Sequence, residues 1–209
     1  MKNNLVIFMI GGSGTGKTTI ANEMVNRGIC EKAVTCTTRK PRVGEKDGVH
    51  YHFLKDKSVL EEMYLNNELI ESPTEFSGNW YGCPVKSIYK PSEDPKPVLA
   101  IVEYQGLEKA LSVLKNYKGL EILPVFLEPI PMEEAKRRMM ERGSTEKEIE
   151  ERIDTMKEEA HWADSTLFKL RVSQDLSLKE TESVNRSIDI ISKSIDKYSK
   201  SPAIKQKIT

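Results

Sequence analysis

A glycine-rich segment at residues 11–18 constrains the fold most. It reads Gly-Gly-Ser-Gly-Thr-Gly-Lys-Thr and directly follows the apolar run Leu5–Ile10. A buried strand that runs into a glycine loop and then a helix, here predicted over residues 18–27, directs backbone N–H groups and the positive end of the helix at one anion. In this pattern the lysine reaches the β- and γ-phosphates, and the hydroxyl after it ligates Mg²⁺. The sequence therefore predicts binding of a nucleoside triphosphate with Mg²⁺. We expect Thr18 to be the metal ligand and the ATP-binding residues to be Gly12, Ser13, Gly14, Thr15, Gly16, Lys17, Thr18 and Thr19.

The bulk composition limits the partners. The 209 residues carry 32 Lys and Arg against 32 Asp and Glu, so no net field favours nucleic acid. No run approaches the roughly 18 apolar residues of a membrane span. Cys30, Cys36 and Cys83 are odd in number and widely spaced, which favours a reducing compartment. We expect a cytoplasmic protein with no nucleic-acid or membrane partner.

Five apolar runs predict buried strands, and helical patterns separate several of them. This alternation is typical of a parallel α/β sheet. Together with the glycine loop it predicts an α/β P-loop NTPase fold, with a five-stranded parallel sheet flanked by helices. The predicted strands are Leu5–Ile10, Ala33–Cys36, Val98–Val102, Ile122–Leu127 and Leu167–Val172.

Two segments interrupt that alternation. Residues 37–88 contain a hairpin pattern at Asp47-Gly48 and a helix opened by a capping box of Ser58 and Glu61. Residues 132–163 read as two charged helices that meet at Gly143, with Ser144 or Thr145 capping the second. We expect one domain over residues 1–209. It divides into a core (about 1–36, 89–131 and 164–198), an inserted acceptor-binding lobe (about 37–88), a helical lid (about 132–163) and a frayed tail (about 199–209).

Two arginines in the inserted lobe suit an anionic substrate. Arg39 and Arg42 flank a stiff turn at Pro41. A guanidinium offers a planar fork for bidentate phosphate contacts and keeps its charge. Arginines near turns are more often solvated surface residues, so the pair alone does not decide between these interpretations.

The order of motifs resembles the guanylate kinase family over residues 4–180. The glycine loop is followed by TTRKPRVGEKDGVHYHF (37–53), NNELIESPTEFSGNWYG (66–82) and an arginine-bearing helix pair. The middle block is specific, because other nucleoside monophosphate kinases share the glycine loop but not this lobe. The resemblance implies a core, an acceptor lobe and a mobile lid, and transfer of the γ-phosphoryl group of ATP to GMP or dGMP.

The resemblance also implies roles for single residues. It implies that Arg39, Arg42, Tyr51 and Tyr81 hold the acceptor phosphate, and that Glu71 accepts hydrogen bonds from guanine N1–H and the exocyclic amine. It implies that Arg142 and Arg152 of the lid stabilise charge on the ATP phosphates and that Arg138 lies nearer the ATP base. The catalytic residues implied are Lys17, Arg39, Arg142 and Arg152. The acceptor-binding residues implied are Thr35, Arg39, Arg42, Tyr51, Glu71, Tyr81, Cys83 and Glu103.

The sequence departs from the family around the base. Ile101 and Glu103 stand where the family usually has two aspartates, and Cys83 replaces a serine or threonine. A thiol is a weaker donor than a hydroxyl. The leading hypothesis is thus a guanylate kinase-type enzyme that binds ATP and a nucleoside monophosphate as a monomer or homodimer. The alternatives are a related kinase with a shifted acceptor, such as a modified purine nucleotide or a phosphorylated sugar, and a non-catalytic binding module.

Overall fold

A five-stranded parallel sheet forms the centre of the computed structural model, which describes residues 4–42, 44–76, 78–90, 92–159, 162 and 164–200. The strands are β1 (Asn4–Gly11), β2 (Glu31–Lys32), β7 (Val98–Ile101), β8 (Leu120–Leu127) and β9 (Leu170–Val172). Their order is β2-β7-β1-β8-β9, and each neighbouring pair is parallel. The predicted tail beyond residue 200 lies outside the described residues. No helix in the described part of the chain is both long and apolar enough to cross a membrane.

The central strand β1 is apolar throughout because it is covered on both faces. All eight of its residues are buried. On one face Val6, Phe8 and Ile10 pack in a cluster that includes helix α4 (Tyr104–Leu114). On the other face Leu5, Ile7 and Met9 pack against α1 (Lys17–Asn26) and α7 (Glu180–Lys200). This continuous apolar pattern is expected of a parallel strand between helical layers.

The predicted strand Ala33–Cys36 is wrong, because the chain changes sheets within it. The main sheet takes the exposed pair Glu31–Lys32 instead, although the Ala33 N–H still donates to the Leu99 carbonyl at 2.8 Å. Strand β3 (Thr35–Thr37) belongs to a second sheet. Ala33 and Cys36 are buried in different clusters, so the apolar pattern reports burial without naming the sheet. The predicted strand Leu167–Val172 is also shorter and begins at Leu170.

The second sheet lies in the segment predicted as the acceptor lobe. Its order is β4 (Tyr51–Phe53), β3, β6 (Asn79–Gly82) and β5 (Thr74–Phe76). The predicted hairpin is wrong, because β3 and β4 pair in parallel, with Thr35 opposite Tyr51. Hydrogen bonds between neighbouring residues hold the connection between β3 and β4 in place. The Asp47 carboxylate accepts from the Phe53 N–H at 2.8 Å, and the Gly48 N–H donates to the Tyr51 carbonyl at 2.8 Å.

Helix α2 (Lys57–Leu65) begins before the predicted capping box. Its N-cap is Asp56, whose carboxylate accepts from the Ser58 N–H at 2.9 Å. The capping box at Ser58 and Glu61 is therefore wrong, since both lie inside the helix. A short helix α3 (Val85–Ile88) follows β6.

The predicted pair of charged helices is α5 (Met132–Glu141) and α6 (Glu146–Glu159). Gly143 has a φ of +82°, which glycine adopts without strain at a helix end. Thr145 caps α6 in a capping box: its N–H donates to the Glu148 carboxylate at 2.8 Å, and its hydroxyl accepts from the Glu148 N–H at 3.3 Å. A cluster with Ala135, Met139 and Ile149 packs the two helices together.

Candidate active site

The glycine loop joins β1 to α1 and is held by its own backbone. Gly14 and Gly16 have φ values of +80° and +79°. The buried hydroxyl of Thr15 donates to the Gly12 carbonyl at 2.7 Å. A Cβ on Gly14 would lie 3.0 Å from the Cα of Ala135, so the loop and helix α5 are in close contact. The predicted ATP-binding residues before α1 thus form one compact turn.

Lys17 is the first residue of α1 and folds back over this turn. Its ammonium donates to the carbonyls of Gly11 and Gly12, the latter at 3.0 Å. Thr18 and Thr19 follow on the first turn of the helix and are exposed. The structure therefore places the predicted phosphate-binding cation and the predicted metal ligand at the same end of α1.

Arg138 connects helix α5 to the glycine loop. Its guanidinium donates to the Gly14 carbonyl at 3.1 Å, to the Gln174 side chain at 2.8 Å and to Glu134 at 2.7 Å. The Gln174 amide in turn donates to the Thr15 carbonyl. Gln174 was not predicted, and no local pattern marks it, because its partners are distant in the sequence.

The two other predicted lid arginines lie on the same helix pair. Arg142 is exposed at the end of α5, and its Nε donates to the Arg138 carbonyl at 3.2 Å. Arg152 is half-buried on α6. Hydrogen bonds from Thr145 lower the pKa of Glu148, and the nearby charge of Arg152 lowers it further.

At the acceptor end, Arg39 is oriented before it meets any substrate. Its guanidinium donates to Glu45 at 2.9 Å and lies over the rings of Tyr51 (5.3 Å) and Phe53 (5.9 Å). Tyr51 and Tyr81 are edge to face with their ring centroids 6.3 Å apart. The structure thus brings together three of the residues predicted to hold the acceptor phosphate.

Glu45 links the two arginines of this group. One carboxylate oxygen accepts from the Arg39 side chain, and the other accepts from the Arg42 N–H at 2.7 Å. These hydrogen bonds lower the pKa of Glu45 to about 2. The side chain of Arg42 is exposed. Glu45 was not predicted as a site residue, although it lies in the motif that carries both arginines.

The base-reading residues implied by the resemblance also lie together. Burial first, and then the nearby charge of Glu103, raise the pKa of Glu71 to about 7, although Lys109 opposes the shift. Cys83 is buried, and its pKa is raised first by burial and then by Glu71. Among the residues that the structure describes, none donates a hydrogen bond to the Glu71 carboxylate. Glu71 is therefore an acid in a poorly solvated position beside a second acid.

A glycine turn that follows a strand of a parallel sheet and opens a helix defines the class of P-loop nucleotide-binding proteins. The family model for guanylate kinase matches residues 2–189. The chain is 38% identical over 167 residues to the guanylate kinase of Bacillus anthracis, which is 78% of each chain. It is 35% identical over 187 residues to that of Clostridioides difficile (strain 630), which is 88% of each.

The fold agrees with these matches. The crystal structure of guanylate kinase from Anaplasma phagocytophilum superposes with a TM-score of 0.65 at 21% identity, covering 96% of this chain and 89% of that one. The chain belongs to the guanylate kinase family. The predicted family, fold and class of enzyme are thereby confirmed, and the relatives favour neither the shifted acceptor nor the non-catalytic module.

Proposed function

We propose that this protein transfers the γ-phosphoryl group of ATP to GMP or dGMP. The observation that carries the proposal is the Glu71 carboxylate, a poorly solvated acceptor beside Glu103. Guanine presents an N1–H and a 2-amino group, which are two donors for one carboxylate. Adenine has neither donor, and it would leave this poorly solvated acid unpaired, which is costly. Membership of the guanylate kinase family supports the same acceptor.

The phosphate-binding residues would act by positioning and by charge. Lys17 and the glycine loop would hold the β- and γ-phosphates of ATP, while Arg39, Arg42, Tyr51 and Tyr81 hold the phosphate of the acceptor. No protein base is needed, because an acceptor phosphate oxygen is already ionised and attacks in line. Holding both reactants in one geometry is the main contribution that proteins make to phosphoryl transfer.

The lid would complete the site. Arg142 and Arg152 would approach the ATP phosphates as the lid segment (132–163) and the acceptor lobe (37–88) close over the substrates. Closure of this kind excludes water and stabilises the charge that develops in the transition state. Since Gly14 contacts Ala135 at the start of α5, the part of the lid free to move would be the end of α5 and α6.

The residues around the glycine loop suit Mg²⁺. Thr18 presents an exposed hydroxyl on the first turn of α1, and a hydroxyl oxygen is a suitable ligand for this ion. Ile101 supplies no carboxylate at the end of β7, so substrate phosphates would provide the other charged ligands. Bound Mg²⁺ would neutralise charge on the β- and γ-phosphates.

Release of ADP, measured in a coupled assay over a panel of nucleoside monophosphates, tests the proposal. We expect turnover with GMP and dGMP and much less with AMP, whose base lacks the donors that pair with Glu71. A matched preparation of the Lys17→Ala variant reports any contaminating kinase. Turnover of AMP at the rate of GMP, or of no nucleoside monophosphate, would overturn the proposal. We also propose a cytoplasmic location, which three buried free thiols support, and a monomeric or homodimeric state.

A further inference from the structure

Gly106 lies in the first turn of helix α4 in contact with the Glu71 carboxylate. A Cβ at this position would overlap Oε2 of Glu71 and lie 3.0 Å from its Cδ. Real Cβ atoms essentially never come within 3.0 Å of another heavy atom. The carboxylate of Glu71 therefore occupies the space that any side chain larger than hydrogen would need.

The backbone at this position does not itself call for glycine. The φ of Gly106 is not positive, unlike that of Gly14 and Gly16, and the residue lies within a regular helix. Glycine is a weak helix former compared with alanine, so it costs stability here. The close contact with the Glu71 carboxylate explains why glycine occupies this position.

We propose that Gly106 is a positioning residue for acceptor recognition: its missing side chain forms the recess that holds the Glu71 carboxylate where the base is read. The inference rests on the proposed function in that it takes Glu71 to be the residue that reads the base. It adds a specificity-determining position on helix α4, to which none of the predicted phosphate-binding residues belongs.

Two further contacts hold the segment of Glu71, one to the end of β6 and one to helix α4. The Ile70 N–H donates to the Cys83 carbonyl at 3.0 Å, which ties the segment to the end of β6. Lys109, three residues after Gly106 in the same helix, donates to the Ser72 hydroxyl at 2.8 Å. The backbone before Glu71 is therefore held by β6, and the side chain after it contacts helix α4, so an added methyl group at position 106 should displace the Glu71 carboxylate rather than the backbone.

Gly106→Ala should accordingly damage recognition without damaging the fold. The displaced atoms are the end of a flexible side chain, and alanine favours the helix. We expect the KM for GMP to rise by about tenfold or more, as for a lost charged hydrogen-bond pair, with the KM for ATP unchanged. Glu108→Ala, two residues further along α4 and exposed, is the matched control and should behave as the wild type.

A double-mutant cycle distinguishes positioning from a direct effect of residue 106. In a Glu71→Ala background nothing fills the recess, so Gly106→Ala should change the KM for GMP by less than about twofold. Independent, multiplicative effects of the two substitutions would overturn the proposal. An unchanged KM for GMP in the single variant would overturn it as well.

Thermal unfolding of the wild type, the two single variants and the double variant makes the test independent of the acceptor. Gly106→Ala should raise Tm more in the Glu71→Ala background than in the wild type, because only the wild type suffers the clash. Equal changes in both backgrounds would overturn the proposed recess. Should the wild type phosphorylate another nucleotide and not GMP, the proposed function has failed. The same kinetic cycle, run with that nucleotide, then decides the role of Gly106.

Discussion

The phosphate end and the base end of this site treat charge in opposite ways. At the phosphate end, Lys17 and Arg138 donate to carbonyls of the glycine loop, and Arg39 is paired with Glu45. At the base end, Glu71 lies in the recess at Gly106 beside Glu103, with its pKa raised to about 7. The phosphate end thus meets its substrates with Lys17, Arg138 and Arg39 already hydrogen-bonded, and the base end with a poorly solvated acid.

This difference separates the rate of the reaction from the choice of acceptor. Substrate phosphates that bind at the phosphate end replace hydrogen bonds that the protein already makes within itself. This exchange is the same for every acceptor. A base that binds at the base end supplies donors to a poorly solvated carboxylate, and a base without those donors leaves the acid unpaired. Substitutions at the phosphate end should therefore lower turnover with all acceptors, and those at the base end should change which acceptor is used.

The largest effect should come from Lys17→Ala. Removing this charge from the β- and γ-phosphates should lower kcat by about 10²–10³-fold or more, as for other groups that stabilise transition-state charge. The ratio of GMP to AMP turnover should stay as in the wild type. Steady-state kinetics with both acceptors measure this, with Lys115→Ala at an exposed position as control. Because Lys17 also bonds to Gly11 and Gly12, circular dichroism should confirm the fold. Turnover within about tenfold of the wild type would contradict the role of Lys17.

The next largest effect should come from substituting the two arginines of the acceptor lobe. Arg39→Ala should raise the KM for GMP by about 10–100-fold, since hydrogen bonds to charged groups contribute about 1.5–3 kcal/mol. Arg42→Ala should have a smaller effect, because Glu45 and Tyr51 orient only the guanidinium of Arg39. The KM for ATP should not change, and Lys40→Ala serves as the neighbouring control. A change confined to the KM for ATP would assign these residues to the other phosphate.

Glu71→Gln should have a selective effect at the base end. Exchanging the charged acceptor for an amide should lower the preference for GMP over AMP by about 1–3 kcal/mol. In the wild type, kcat/KM for GMP should fall as the pH drops below about 7, because the protonated carboxyl group no longer accepts both hydrogen bonds. The pH profile of the variant should lack this limb. Identical profiles for the two proteins would contradict the assignment of the acid limb to Glu71.

The same variant should reveal the cost of keeping Glu71 poorly solvated. The pKa of Glu71 in the folded protein, about 7, lies above its ordinary value of 4.5, so between these values the folded state holds more protons than the unfolded state. The contribution of this group to stability is therefore lost as the pH rises through that window. Thermal unfolding should show the Tm of Glu71→Gln rising relative to that of the wild type between about pH 4.5 and about pH 7. A constant difference in Tm would contradict the raised pKa.

The smallest effect expected is that of Gln174→Ala. Its amide bonds to Thr15 and Arg138 support the glycine loop from outside. Losing them should raise the KM for ATP by about 2–10-fold, corresponding to the net 0.5–1.5 kcal/mol of ordinary hydrogen bonds, and leave the KM for GMP unchanged. Lys179→Ala, exposed on the same segment, is the control. A larger effect on GMP than on ATP would place Gln174 at the wrong end of the site.

The features that the sequence determined by itself are those in which neighbouring residues make the structure. The strand, loop and helix around Lys17 follow from a contiguous motif, because the glycines permit the turn and helix α1 begins where the turn ends. The cap at Thr145 is likewise local, since its partner Glu148 lies three residues away. Such contacts form wherever the segment is placed, so short-range patterns predict them.

Only the tertiary structure decided features whose partners are distant along the chain. The run at residues 33–36 had the right burial but was assigned to the wrong sheet, because an apolar pattern does not specify which strand lies alongside. Gln174 meets a carbonyl 159 residues away, and Gly106 meets the carboxylate of a residue in another lobe. The pKa of Glu71 depends on the same arrangement, because desolvation and the charge of Glu103 arise only when separate segments pack together.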